Sequence, residues 1–257
     1  MRFFLEHCPP NPTLEYADSF ILPEGTTEIV SRGGGSTIDV GKWLARKYNV
    51  PHVVIPTTAG TGSEITRYSV LNVDGRKKTF TDDKFLPEGY ILDPFLTVSL
   101  PEIHTLSTGL DALSQSMESL WSKHATNESV AYATVGMKLS LDNIKKAIDN
   151  PKDVRARMSM MIAANMSGRA IDITQTNICH AISYPLTDWY KIPHGIACGL
   201  SLSYFAKKMG YDVDIIKSLL PKYKIDIKKV ANEVLKNPKL EDFPLPVTKM
   251  DIYHALS

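Results

Sequence analysis

A glycine-rich turn between two short apolar segments is the feature that most restricts the fold of this chain. Residues 26–32 have the composition of a short strand, and "GGGS" (33–36) follows at once. Residues 37–48 then place apolar side chains at helical spacing, and "HVVIP" (52–56) is a second, β-branched segment. A strand, a glycine turn, a helix and a strand in this order predict a βαβ unit and a parallel sheet.

Two polar loops follow the two predicted strands, at the sheet edge where ligands collect in open α/β folds. The glycines of "GGGS" allow close approach to the backbone, and the next helix offers free N–H groups and the positive end of its dipole. This arrangement suits a pyrophosphate, but a tight structural turn is an equally open interpretation, because the sequence lacks GxGxxG. The second loop, "PTTAGTGSE" (56–64), offers hydroxyls and amides to a phosphate or a nicotinamide.

The pattern of the chain changes near residue 100. Residues 68–80 predict a hairpin that turns at Asp74–Gly75, and one more strand precedes residue 100. After that point the apolar residues keep a helical period almost to the end of the chain. We therefore predict an α/β dinucleotide-binding domain over 1–100 and an all-α metal-binding domain over 101–257.

Composition argues against several classes of protein. The formal net charge is +1, which gives no electrostatic reason to expect nucleic acid or an anionic membrane as a partner. No segment approaches the roughly 18 apolar residues of a membrane helix. The three cysteines form no CxxC motif and favour a reducing compartment. We predict a cytoplasmic protein that binds neither nucleic acid nor membrane.

Four polar side chains in the second half are candidates for chemistry. Asp111 and Gln115 lie four positions apart and share a helix face. The neighbours of Asp111 are apolar, which suits a carboxylate paired with a cation, but the segment alone favours an exposed aspartate near a helix start. His180 and His194 are separated by a spacing that matches no short zinc motif. Each is typical of a core histidine when taken alone, whereas both together with Asp111 would suit a borderline divalent ion.

Several segments, in order, resemble the iron-containing alcohol dehydrogenase family: "PPNPTLE" (9–15), "SRGGGSTIDVGK", "IPTTAGTGSE", "ILDPFLTVSLP", "STGLDALSQSMES" and "HAISYPLTDWYKIPHG". The resemblance covers most of residues 9–200. It implies a dinucleotide-binding domain followed by a helical metal domain, with the metal and the nicotinamide in the cleft between them. Only eight residues precede "PPNPT", so it also implies a parallel sheet truncated at its N-terminal side.

The resemblance also implies roles for individual residues. It puts NAD or NADP, the cofactor, against Gly34, Gly35, Ser36, Asp39, Thr57, Thr58 and Thr61. It puts one divalent ion, Fe2+ or Zn2+, on Asp111, Gln115, His180 and His194, with Gln115 in a position that is usually histidine. Asp111, His180 and His194 would also be catalytic, together with Tyr184. Tyr184 stands where the family usually has a proton-relay histidine.

Gln115 and Tyr184, with "ITQT" ahead of His180, resemble the phosphonoacetaldehyde reductase branch. This likeness implies metal-dependent, reversible NAD(P)H-linked reduction of a small aldehyde, such as phosphonoacetaldehyde to 2-hydroxyethylphosphonate. Separately, we expect a homo-oligomer, a dimer. Arg67 is the predicted contact for the substrate's anion, and a surface arginine is an equal alternative. Two other functions stay open: a degenerate or truncated paralogue that serves as a non-catalytic subunit, and a lyase related to dehydroquinate synthase.

Overall fold

The structure is a computed structural model that describes residues 1–257, and all of its strands lie in the first ninety residues. The six strands are β1 (Arg2–Glu6), β2 (Glu28–Gly33), β3 (His52–Pro56), β4 (Tyr68–Val73), β5 (Arg76–Thr81) and β6 (Gly89–Tyr90). The main sheet is parallel in the order β1-β2-β3-β6. Strands β4 and β5 form the antiparallel hairpin that the Asp74–Gly75 turn predicted.

The predicted βαβ unit is confirmed. Helix α1 (Leu14–Asp18) precedes β2, and α2 (Gly35–Tyr48) connects β2 to its parallel neighbour β3. Gly33 is in register with Pro56, so the glycine turn and the threonine-rich loop leave the sheet at the same edge. Apolar side chains from α1, α2 and the strands pack into a core that includes Ile29 and Leu44.

Strand β1 is a sheet strand that the sequence analysis did not assign. Residues 2–6 pair along their whole length with β2. Leu5 is the one side chain of this strand that is buried. An edge strand with a single buried side chain carries almost no hydrophobic period, and the pattern of residues 1–8 therefore gave no signal.

The second half is helical, as predicted. Its helices are α3 (Glu102–Leu120), α4 (Asn127–Asp149), α5 (Val154–Thr174), α6 (Ile178–Tyr190), α7 (His194–Lys208), α8 (Ile227–Val234) and α9 (Lys249–Leu256). Helix α3 is central, since 14 of its 19 residues are buried, and each polar side chain on it needs a partner inside the protein. None of the helices combines the length and the apolar character that crossing a membrane requires.

The loop after β3 is fixed against α5. A Cβ at Gly62, whose φ is +61°, would lie 2.5 Å from the Cα of Gly168, so the two backbones are in direct contact. The Asn165 side chain donates a hydrogen bond of 3.1 Å to Glu64. Strands are confined to residues 2–90, and every regular element from residue 102 on is helical; that 1–100 and 101–257 are separate domains stays a prediction.

Candidate active site

The first part of the site, which we call the glycine cradle, consists of residues 33–37 and 57–61 at the carboxyl ends of β2 and β3. Gly34 caps α2 without a side chain, and a Cβ on it would lie 3.3 Å from Thr58. A Cβ on Gly35 would lie 2.9 Å from Thr61. The two loops therefore pack directly on one another, with the helix N-terminus beneath them.

A cavity of about 400 Å³ opens at the glycine cradle. Its lining includes Gly33, Gly34, Thr37 and Thr57, and so combines bare backbone with hydroxyl groups. Unpaired N–H groups in the first turn of a helix, next to backbone without side chains, form an anion-binding surface. The cradle therefore has the shape and polarity that a pyrophosphate needs.

Two of the predicted cofactor contacts have other partners. The Ser36 hydroxyl accepts a hydrogen bond of 3.3 Å from the backbone N–H of Asn11. The carboxylate of Asp39 accepts from the Ser63 hydroxyl at 2.8 Å and from the Val70 N–H at 3.2 Å. Burial raises the pKa of Asp39, and the nearby Lys42 opposes that shift. Asp39 thus ties α2 to the loop and to β4, and these contacts do not support a direct role in holding the cofactor.

The second part of the site is a group of donor atoms that we call the metal cluster: Asp111, His180, His194 and Cys198. Their ligand atoms all lie within 4.8 Å of one another. Asp111 Oδ1 is 3.3 Å from His180 Nε2 and 3.7 Å from His194 Nε2, yet it is buried and has no hydrogen-bond partner. Ligands at tetrahedral zinc distances are separated from each other by about 3.4 Å. The donors thus surround a common point and fit a divalent ion.

Helix packing brings these side chains together. Asp111 is in the middle of α3 and only 4% exposed, so the interpretation of an exposed aspartate is wrong. His194 begins α7, where a Cβ on the next residue, Gly195, would lie 1.7 Å from the carbonyl oxygen of Ser107. This backbone contact presses the start of α7 onto α3 and places His194 beside Asp111.

Protonation in the cluster reflects opposing effects. Burial alone would raise the pKa of Asp111, but the facing imidazoles of His180 and His194 outweigh it and lower that pKa. Burial chiefly lowers the pKa of His194, whose side chain is about one-third exposed at the rim of the cluster. His194 is therefore neutral near pH 7, and its free Nε2 lone pair is available to a cation.

Glu118 orients one of the two imidazoles. It is fully buried, and its Oε2 accepts a hydrogen bond of 2.5 Å from His180 Nδ1. Its Oε1 accepts from the backbone N–H groups of Cys179 and His180, in the first turn of α6. A carboxylate only accepts, so Nδ1 carries the proton and Nε2 is left to face Asp111.

The predicted fourth ligand is directed elsewhere. The amide oxygen of Gln115 accepts a hydrogen bond of 2.8 Å from Ser167, and its NH2 group donates to the Thr61 carbonyl at 3.4 Å. Sequence analysis missed both Cys198 and Glu118. A signal existed for each, because Cys198 lies four residues after His194 and Glu118 lies seven after Asp111, on the same helix faces.

The predicted proton relay and anion contact have different outcomes. Tyr184 lies one turn after His180 on α6 and is half-buried, and its hydroxyl makes no hydrogen bond within the chain, so a relay role stays a prediction.

Arg67 is held by two carboxylates: its Nε donates to Asp172 at 3.0 Å and its Nη1 to Asp83 at 3.1 Å. These contacts do not support Arg67 as the substrate's anion contact, because an anion would have to displace both.

A second cavity, of about 440 Å³, opens onto the metal cluster through His194. The β4–β5 hairpin contributes Asn72 and Lys77 to its wall, and the junction of α6 and α7 contributes Lys191. The cavity is thus polar, with Lys77 and Lys191 on opposite sides of the cleft between the sheet region and the helices and with Asp188 also in its lining. The two lysines outnumber the one carboxylate, so the lining favours a small anionic ligand.

A parallel α/β region with a glycine cradle, joined to helices that hold a buried carboxylate and two imidazoles, defines a nucleotide- and metal-site architecture. The profile "Iron-containing alcohol dehydrogenase" matches residues 4–94, and "Fe-containing alcohol dehydrogenase family, C-terminal" matches residues 105–241. The chain belongs to the iron-containing alcohol dehydrogenase family.

Individual relatives agree with this assignment. The chain is 33% identical over 224 residues to long-chain-alcohol dehydrogenase 1 of Geobacillus thermodenitrificans, covering 79% of this chain and 56% of the relative. It is 41% identical over 153 residues to phosphonoacetaldehyde reductase of Streptomyces viridochromogenes, covering 58% and 38%. The chain therefore matches about half the length, or less, of these relatives.

A solved structure matches over nearly the whole chain. It is sulfoacetaldehyde reductase from Bifidobacterium kashiwanohense in complex with NAD+, with a TM-score of 0.87 and 30% identity, covering 96% of this chain and 81% of that one. The α/β region and the helical region therefore share their arrangement with that enzyme, and the predicted fold class is confirmed.

Proposed function

We propose that the chain catalyses reversible, NAD(P)H-linked reduction of a small anionic aldehyde to its alcohol at a divalent metal ion. The observation that carries this proposal is the buried, unpartnered Oδ1 of Asp111, which faces two imidazole nitrogens beside an open cavity. A buried carboxylate oxygen without a hydrogen-bond donor is costly unless a cation faces it, which supports a metal ion at this point of the structure.

The residues divide the work between the two halves. A bound nicotinamide supplies the hydride, and a bound divalent ion supplies Lewis acidity. Asp111, His180 and His194 would hold the ion, and Glu118 keeps the Nε2 of His180 directed toward it. The glycine cradle would hold the cofactor's pyrophosphate. Tyr184 is our candidate for passing a proton to the product oxygen.

The substrate class follows from the second cavity. Lys77 and Lys191 are on its wall together with His194, so a negative group would be paired while the aldehyde end lies near the cluster. Burial is the largest cause of the lowered pKa of His194. The positive charge of Lys77 lowers that pKa further, which indicates that Lys77 lies close enough to the metal cluster to act on it electrostatically. Relatives named as reductases of phosphonoacetaldehyde and sulfoacetaldehyde support an anionic aldehyde, and phosphonoacetaldehyde is our first choice.

The test is a substrate panel with protein loaded with Zn2+ or Fe2+, assayed by NADH and NADPH oxidation. Phosphonoacetaldehyde, sulfoacetaldehyde and neutral propionaldehyde differ in charge but share the reacting group. We expect the anionic aldehydes to have at least about tenfold higher kcat/KM, since one charge pair contributes about 1.4 kcal/mol or more in a partly enclosed site. No aldehyde-dependent oxidation with either metal would overturn the proposed reaction.

A pair of lysine variants tests the substrate class separately. Lys77→Ala should remove most of the preference for anionic aldehydes and leave the rate with propionaldehyde unchanged within a few-fold. Lys78→Ala is the matched control, because Lys78 is the next residue on β5 but lies over the ring of Phe80, outside the cavity. Equal kcat/KM values for charged and neutral aldehydes in the wild type would contradict the anionic class and leave the redox reaction standing.

A further inference from the structure

We propose that Cys198 is the fourth protein ligand of the divalent ion, which gives an Asp/His/His/Cys donor set that favours zinc over iron. The inference deepens the proposed function and rests on its metal site. Cys198 takes the fourth position, which the family resemblance had given to Gln115.

The position of Cys198 in the fold supports this role. It lies one helical turn after His194 on α7, so both side chains project from the same face. Its side chain is 0% exposed, and its Sγ belongs to the group of donor atoms that all lie within 4.8 Å of one another. A buried thiol whose sulfur lies this close to two imidazoles and a carboxylate is placed as a ligand would be.

The rest of the cluster supplies an independent reason for a cation at this point. Asp111 is 4% exposed, and its Oδ1 has no donor in hydrogen-bonding geometry. The amide oxygen of Gln115 is already engaged by the Ser167 hydroxyl. The Asp111 oxygen is therefore open to a cation, and the Cys198 sulfur is better placed than the engaged Gln115 amide to be the fourth ligand.

The chemistry of the donors indicates the ion. Thiolate is a soft ligand and, with imidazole, is typical of zinc, whereas a site built from oxygen donors suits harder ions. A thiol binds a metal as the thiolate, so metal binding at Cys198 would release its proton. The simpler alternative is that Cys198 is a small apolar residue in the helical core, since it also packs in the main apolar cluster.

Cobalt substitution separates the two interpretations. A cobalt–thiolate bond produces an intense near-ultraviolet charge-transfer band that oxygen and nitrogen ligands do not produce. The Cys8→Ser/Cys179→Ser double variant keeps Cys198 as the one remaining thiol, and Cys179 is an apt control because it is equally buried but lies outside the cluster. We expect one equivalent of Co2+ and the band in both the wild type and this double variant.

Variants of the two competing ligands complete the test. Cys198→Ser should lose the band and bind Zn2+ at least about tenfold more weakly in chelator competition, since even removing an outer contact of a ligand costs that much. Gln115→Ala should keep the band. Thermal melting in the absence of metal checks that each variant is folded, and the wild type and double variant decide the question if Cys198→Ser does not fold.

The outcomes that overturn the inference are distinct from failure of the proposed function. Stoichiometric Co2+ in the wild type without the band, or a band that persists in Cys198→Ser, removes Cys198 from the ligand set while the metal-dependent reaction stands. Loss of metal binding in Gln115→Ala but not in Cys198→Ser assigns the fourth position to Gln115. A wild type that binds no Co2+, Zn2+ or Fe2+ overturns the metal site itself, and with it both proposals.

Discussion

The glycine cradle and the metal cluster are constructed in opposite ways. The cradle comes from two short segments that follow neighbouring strands, and most of its surface is backbone. The cluster comes from side chains on α3, α6 and α7 that are up to 87 positions apart in sequence, from Asp111 to Cys198. The cradle therefore depends on the absence of side chains, whereas the cluster depends on how three helices pack. The two regions touch where the Gln115 side chain donates to the Thr61 carbonyl, but no donor atom of the cluster belongs to the cradle, so damage to one should leave the other largely intact.

The largest expected effect comes from Asp111→Asn. The amide removes the carboxylate charge that faces the Nε2 atoms of both His180 and His194, so the divalent ion should be lost and the rate measured with added metal should fall about 100- to 1,000-fold. NADH affinity, followed by nucleotide fluorescence, should be unchanged, because the cradle is built from other segments. A parallel loss of NADH binding would contradict the independence of the two regions.

Glu118→Gln should have the next largest effect. An amide at this position accepts less strongly from His180 Nδ1 and must also serve two backbone N–H groups of α6, so the imidazole is less firmly oriented. We expect metal affinity to fall about 10- to 100-fold in chelator competition. Glu102→Gln, an exposed position at the start of the same helix, is the control and should not change metal affinity.

Gly35→Ala tests the cradle in the same manner. The new Cβ would lie 2.9 Å from Thr61, and the threonine loop must shift to relieve the contact. We expect NADH affinity to fall about tenfold, which corresponds to a packing cost of about 1.4 kcal/mol, with metal affinity unchanged. Gly89→Ala is the matched control, since its Cβ would meet nothing within 4 Å. Equal NADH affinities in the two variants would show that the cradle tolerates side chains.

The smallest expected effect is on stability and concerns Lys42 of α2, the helix that begins at the glycine cradle. This fully buried ammonium group donates to both oxygens of Thr66 and to the Tyr68 carbonyl. Burial lowers its pKa from 10.5 to about 8, so between these pH values the unfolded chain binds more protons than the folded chain. Stability should therefore rise with pH in this window, by about 1 kcal/mol between pH 8 and 9. Urea unfolding should show this rise, and Lys42→Met should lack it.

The same contrast explains what the sequence could predict. The βαβ unit, the hairpin and the helical half could be predicted, because the pattern that indicates each of them lies within one contiguous segment. The structure confirms all three. Strand β1 was not predicted, because an edge strand needs little apolar patterning. The pattern around Asp111 wrongly favoured an exposed aspartate. Because α3 is buried on nearly all sides, its sequence has no polar face that would show which side chains are exposed.

The metal cluster could be predicted only in part. The resemblance to a family, not the spacing of the histidines, brought His180 and His194 together with Asp111. Cys198 and Glu118 share helix faces with His194 and Asp111, but that they also meet His180 of α6 could be known only from the helix packing. For Arg67, a cationic side chain next to a ligand loop suggested an anion contact. The two carboxylates that hold it come from residues 83 and 172, which no local pattern connects to it.

The contact between Gly195 and Ser107 has a consequence for how this protein can vary. The obstacle to a side chain at residue 195 is a main-chain oxygen only 1.7 Å from where a Cβ would be. Replacing neighbouring side chains with smaller ones cannot make room, because every amino acid carries that carbonyl. A methyl group here would separate the two helices and pull His194 away from Asp111, so compensation would require moving an entire helix rather than exchanging a second residue.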